Sequence, residues 1–129
     1  MPDVNRGDRP LSPFMLGPYY RLQLTSVTSI LTRITGNALI VAVVLVVWWL
    51  MALAAGPEAF ETANGVITSW FGDLVMTLSL LALWYHTLAG IRHLIWDTGH
   101  GLRIDRAEML GWICIGGSVV LTILTILIV

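Results

Sequence analysis

Lysine is absent from the 129 residues, and charge of either sign is scarce: seven arginines and eight Asp and Glu make up 12% of the chain. Soluble domains carry about 25% charged residues, so a water-soluble globule of this composition would leave large apolar patches bare. The net charge of −1 gives a nucleic-acid partner no electrostatic hold. The single cysteine, Cys114, stands inside an apolar run, which excludes a disulfide framework and a thiolate metal cluster. Internal repeats and low-complexity stretches are missing too. The first 37 residues lack an apolar core of the kind a cleavable signal peptide needs. Asp3 and Asp8 argue against a mitochondrial transit peptide, which is poor in acids, and so point to a bacterial inner membrane.

What is abundant is hydrocarbon. Apolar residues make up 57% of the chain, with a mean hydropathy of +0.81. They gather in three blocks: 18 unbroken residues over 38–55, 18 over 74–91 with His86 the one ionisable group, and 21 over 109–129 with none. A bilayer core about 30 Å thick needs about 20 helical residues. The pattern therefore predicts an all-α, multi-pass membrane protein of one domain, residues 1–129. Its three transmembrane helices fall at about 27–55, 70–95 and 108–129, with residues 1–26 a non-regular, interfacial segment. Arg9-Pro10-Leu11-Ser12-Pro13 forbids a regular helix there, and Tyr19, Tyr20 and Arg21 suit interface depth. Residues 56–69 read as a loop. Trp48, Trp49, Trp70 and Trp96 fall where aromatic belts lie. Gly111, Gly116, Gly117 and Cys114 suggest close packing of the third helix, and Asp73 reads as a water-accessible interface position.

Charge orients the chain. Arg6, Arg9, Arg21 and Arg33 precede or open the first span, and Arg92, Arg103 and Arg106 lie between the second and third. The other connection carries Glu58 and Glu61 but no arginine, and nothing basic follows the third span. The positive-inside rule then puts the N-terminus inside and the C-terminus outside.

His86 is the ionisable group to explain, lying six residues before Arg92 and hence about 9 Å deeper along a helix. Such groups normally face a bundle interior with a partner. An interhelical hydrogen bond would account for it. A proton relay would need further acids, and Asp73 is at the opposite end of the same helix. A haem ligand needs a neutral imidazole in an apolar slot beside small residues. The surroundings favour haem: His86, Gly90, His93 and Asp97 are spaced 4, 3 and 4 apart and share a helix face. Gly90 would leave room for a porphyrin edge, while Arg92, His93 and Arg33 could meet propionates. Taken alone, Arg33 reads first as a cation snorkelling to the headgroups. His93 lies about 10 Å along the same face and cannot reach the other side of the ring, and His100 is in a charged surface loop. A second histidine ligand would have to come from a second polypeptide.

Residues 9–13 (RPLSP), then Ser29-Ile30-Leu31-Thr32-Arg33-Ile34-Thr35-Gly36, then His86-Thr87-Leu88-Ala89-Gly90-Ile91-Arg92-His93-Leu94-Ile95-Trp96-Asp97 resemble the cytochrome b membrane-anchor subunits of succinate dehydrogenase, respiratory complex II. The resemblance covers essentially the whole chain. It implies that His86 is an axial ligand of haem b, with the other ligand supplied by a partner anchor subunit. It implies that Ser29 and Arg33 belong to a ubiquinone site near the inner surface. Arg33 would also approach a propionate, Asp97 would orient Arg33, and His93 would lie at the haem edge. Iron–sulfur and flavoprotein subunits would dock on the inner face and deliver electrons from succinate, with no dicarboxylate chemistry in this chain. A guanidinium beside the quinone would raise its electron affinity. Two departures stand out: members of the family commonly have histidine where Thr32 and Phe14 stand here, which puts peripheral haem contacts in doubt rather than the axial ligand. Three other readings stay open: a haem-free structural anchor, the anchor of a quinol:fumarate reductase, and a small transporter or channel subunit, the last lacking the repeats or broken helices usual there. Alkaline phosphatase fused after Val129 is expected to be active outside the cell membrane and inactive when inserted at residues 98–102; the reverse pattern would overturn the orientation.

Overall fold

The computed structural model describes residues 21–129. Four helices follow one another: α1 (Leu24–Ala55), α2 (Pro57–Ile67), α3 (Trp70–Asp97) and α4 (Ile104–Ile128). α1, α3 and α4 are long and apolar enough to cross a membrane, and no strand occurs among the described residues. The three expected spans are present, with α1 starting earlier, α3 ending later and α4 beginning at Ile104. Hydropathy marks only the part of a helix suited to hydrocarbon, whereas the hydrogen-bond ladder runs on into polar flanks. At α4 the added turn carries Asp105, where a carboxylate meets the positive end of the helix dipole. The expectations for Asp3, Arg6, Asp8, Arg9 to Pro13, Phe14, Tyr19 and Tyr20 lie outside the described residues.

α2 replaces the expected loop over residues 56–69. α1 stops at Gly56, whose φ of 127° is open to glycine and strained for other residues. Pro57 then takes the first position of α2, with Glu58 in its first turn, a favourable pairing of proline and acid at a helix start. The short helix folds back on α1: Trp49 Nε1 donates to Asn64 Oδ1 at 3.3 Å, the Trp49 and Phe60 rings lie 5.4 Å apart, and Ala63 is wholly buried. Trp49 is thus engaged by its own chain. Ser69 caps α3 by accepting from Gly72 N at 3.1 Å.

At the opposite end, Gly99 and Gly101 adopt φ of 80° and 72° and turn the chain from α3 into α4. Trp96 Nε1 holds this turn by donating to the Gly101 carbonyl at 3.2 Å. The Arg103–Asp105 pair at 3.2 Å is exposed and contributes little.

α3 packs against both α1 and α4. The side of α4 facing inward is made of small residues: Gly111, Cys114, Ser118 and Thr122 are its buried positions, spaced so that they share one face. A β-carbon on Gly111 would meet Leu24 at 3.3 Å, and one on Gly117 would meet Leu88 at 3.0 Å. These two glycines serve helix approach as expected, whereas Gly116 faces open space. Trp84 Nε1 donates to Thr125 Oγ1 at 3.0 Å across the same interface. Outside this thin core most large apolar side chains are exposed, as suits helices whose solvent is lipid.

Gly72, buried at the α2–α3 junction, has no room for a side chain, because a β-carbon would run into the carbonyls of Ile67 and Val66. Gly72→Ala is expected to cost about 2 kcal/mol, read from an SDS unfolding titration in mixed micelles. An unchanged transition would show that the junction yields freely.

Candidate functional site

α1 and α3 approach closely at Gly36 and His86. A β-carbon on Gly36 would stand 3.1 Å from His86 Cε1, so only glycine admits the imidazole without displacement. Thr35 Oγ1 lies 3.3 Å from His86 Nδ1 and 2.8 Å from the Leu31 carbonyl. His86 itself is only half-buried. Thr35 and Gly36 entered the sequence reading only as the end of the motif that opens at Ser29, and their contact with His86 was not foreseen there.

The rest of the histidine stripe is open. Gly90 has nothing within 4 Å of where its β-carbon would be. His93 and Asp97 are exposed, and His93 Nδ1 lies 2.7 Å from the Ala89 carbonyl. A carbonyl can only accept, so this nitrogen carries the proton and Nε2 is left free to accept. His93 also meets Trp96 edge-on, with ring centroids 5.2 Å apart. On α1, Ser29, Arg33 and Gly36 are spaced 4 and 3 apart and so follow one flank, with Ser29 and Arg33 both exposed. Ser29 and Arg33 on α1 and Gly90, His93 and Asp97 on α3 are thus exposed, all on the side of the Gly36–His86 contact away from α2. No hydrogen bond or ion pair joins Arg33 to Asp97 among the described residues.

Arg92 behaves differently. It is 3% exposed and lies about 100° around α3 from His93, with the buried Tyr85 and Ala89 rather than on the open stripe. Its guanidinium carbon sits 4.7 Å over the Trp96 ring, a cation–π contact. Its Nε has no hydrogen-bond partner. Tyr85 lies on this side too, donating its hydroxyl to the Thr28 carbonyl at 2.9 Å. Thr32 gives its hydroxyl proton to the Thr28 carbonyl at 2.8 Å and is half-buried.

One turn from the His86–Gly36 contact, toward α2, an apolar groove of about 290 Å³ opens between α1 and α3, lined by residues including Leu39, Val43, Val46, Met76, Leu80 and Leu83. The arrangement is one half-exposed imidazole one turn from an apolar groove on its α2 side, with Ser29, Arg33 and His93 exposed on the opposite side. No cluster of three or more His, Cys, Asp or Glu that could hold a metal occurs among the described residues. A metal held here would need its remaining ligands from a macrocycle or another chain.

Residues 5–125 match the family described as succinate dehydrogenase/fumarate reductase transmembrane subunit. The chain is 52% identical over 128 residues to the succinate dehydrogenase cytochrome b556 subunit of Paracoccus denitrificans, covering 99% of this chain and 97% of that one. It is 38% identical over 116 residues to the cytochrome b556 subunit of Rickettsia conorii, covering 90% of this chain and 89% of the relative. With the cytochrome b560 subunit of Reclinomonas americana the identity is 32% over 122 residues, covering 91% and 83%. Three apolar helices, one intramembrane histidine against a glycine and these matches along nearly the whole length lead to one conclusion: the chain belongs to the family of succinate dehydrogenase/fumarate reductase transmembrane subunits.

Proposed function

We propose that this chain is the cytochrome b anchor of a succinate:quinone oxidoreductase in a bacterial inner membrane, with its N-terminus inside. Together with a second anchor subunit it holds haem b and forms the ubiquinone-reduction site. The observation that carries this reading is His86 itself, half-exposed, its Cε1 3.1 Å from a would-be β-carbon on Gly36, with an apolar groove between the same two helices one turn away. A flat macrocycle needs that combination: a nitrogen donor, a wall without a side chain, and an apolar slot for its hydrocarbon edge. The open space at Gly90 fits the same ring. Haem b, when bound, supplies a one-electron relay.

His86 would be the axial ligand. The chain offers no histidine for the opposite face of the ring, since His93 is on the same stripe and His100 is in the exposed α3–α4 turn; the partner anchor supplies that ligand. Arg33 and His93, both exposed at the end of the stripe away from α2, would meet the propionates. Arg92 would contribute a fixed positive charge from inside the bundle, since its side chain is enclosed. Thr32 does not replace a histidine, because its hydroxyl proton is committed to α1.

Ser29 and Arg33 stand in the first three turns of α1, at the mouth of the bundle. A quinone bound there needs donors for its carbonyl oxygens, and a hydroxyl and a guanidinium provide them. Quinone reduction consumes two protons and two electrons, so the site has to reach inner water, which these exposed positions do. Asp97, at the last residue of α3, would orient Arg33 and temper its charge. Iron–sulfur and flavoprotein subunits docked on the same face would deliver electrons from succinate. That direction is favoured over fumarate reduction because the three relatives named above are all succinate dehydrogenase subunits.

His86→Ala in the purified complex is expected to abolish the b-type absorption band and the pyridine haemochrome; an unaltered spectrum would sink the ligand assignment and leave a structural anchor. Ser29→Ala and Arg33→Ala are expected to lower quinone reduction about ten-fold while succinate oxidation by an artificial acceptor holds. Equal loss of both activities would place the two residues in assembly instead.

A further inference from the structure

We infer that Thr35 is a positioning residue for His86: it fixes which ring nitrogen carries the proton and tunes how strongly the other one donates. The inference rests on His86 being an axial haem ligand. Thr35 Oγ1 has three polar neighbours, the Leu31 carbonyl at 2.8 Å, the Thr32 carbonyl at 3.1 Å and His86 Nδ1 at 3.3 Å. Carbonyl oxygens only accept. A threonine hydroxyl has a single proton, and the two carbonyls of its own helix take it. None remains for the imidazole. The contact with His86 is then a hydrogen bond in one direction only, with Nδ1–H donating to a lone pair of Oγ1.

The tautomer follows. A neutral imidazole protonated at Nδ1 carries its lone pair on Nε2. The Cε1–Nδ1 edge lies over Gly36, and Nε2 is the ring nitrogen farther from it, 4.0 Å from where a β-carbon would be against 3.6 Å for Nδ1. Thr35 is anchored to α1 by the same bonds that use its proton, so the acceptor cannot swing away and the ring cannot turn without losing its partner. A hydrogen bond to the distal N–H also makes a ligating histidine more basic. Stronger donation favours the oxidised iron and lowers the potential. A hydroxyl achieves this mildly, whereas a carboxylate at the same place would place a full negative charge in hydrocarbon.

The test uses the complete complex in native membranes. Thr35→Val keeps the volume and branching but removes the acceptor, and Thr35→Ser keeps the acceptor. The readouts are haem per complex, by pyridine haemochrome, and the midpoint potential of the b band, by optical redox titration. Thr35→Val is expected to shift the midpoint upward and weaken haem retention, and Thr35→Ser to keep both near the unmodified values. Bound haem with an unshifted midpoint in Thr35→Val would overturn the inference. So would a shift of equal size in Thr35→Ser, which would assign the effect to methyl packing. If the valine variant does not assemble, Thr35→Ala carries the same expectation without the branched side chain. A complex with no haemochrome, or a band indifferent to His86→Ala, would instead strike the axial-ligand reading.

Discussion

The close approach of His86 to Gly36 is the constraint to which the rest of the bundle adjusts. An imidazole in the hydrocarbon layer needs a polar partner and a place where a neighbouring backbone can come near. Gly36 provides the place and Thr35 the partner. Once α1 and α3 are fixed at that point, Tyr85, one residue before His86, is turned about 100° around the helix and reaches the Thr28 carbonyl. The same rotation carries Ala89 and Arg92 into the interior and leaves Gly90, His93 and Asp97 on the open flank. One contact thereby sorts α3 into an enclosed side and an available side.

Lipid chains are as apolar as leucine, so hydrophobic burial does little to hold such helices together. What holds them is small residues that allow contact and hydroxyls that spend their protons locally. Thr28, Thr32, Thr35, Thr122 and Thr125 each donate back to a carbonyl of their own helix. Every one of them then presents only lone pairs to its neighbours, which gives the interior a surplus of acceptors. The Trp84 indole N–H meets one of these acceptors at Thr125, and His86 lies against another at Thr35. Binding surface is correspondingly cheap to leave open, because an uncovered apolar flank costs little in a bilayer.

The sequence makes the spans and the histidine stripe legible because both rest on coarse signals, apolar length and helical periodicity. His86, Gly90, His93 and Asp97 keep their common face in the structure for that reason. α2 was hidden since its charged Glu58 and Glu61 lower hydropathy, although Pro57-Glu58 is a helix start and Phe60, Ala63, Asn64 and Ile67 follow helical spacing. Arg92 was grouped with its neighbour His93 by position, yet adjacent residues on a helix point about 100° apart, and only packing reveals that one is enclosed. The link between Thr35 and His86 spans 51 positions and leaves no mark in either segment's pattern. Whether Arg33 and Asp97 work together depends on chains that assemble around this one.

The burial of Arg92 bears on how the chain enters the bilayer. α3 carries both His86 and a guanidinium, and is the least apolar of the three spans. A lone α3 would have no neighbouring helix to cover that cation, and charged groups within or at the edge of a span normally turn to a bundle interior. In the folded chain the cation rests on Trp96 of its own helix and, with α1 and α4 packed against α3, is almost wholly enclosed. The enclosure of that cation thus comes from helix association and not from α3 alone.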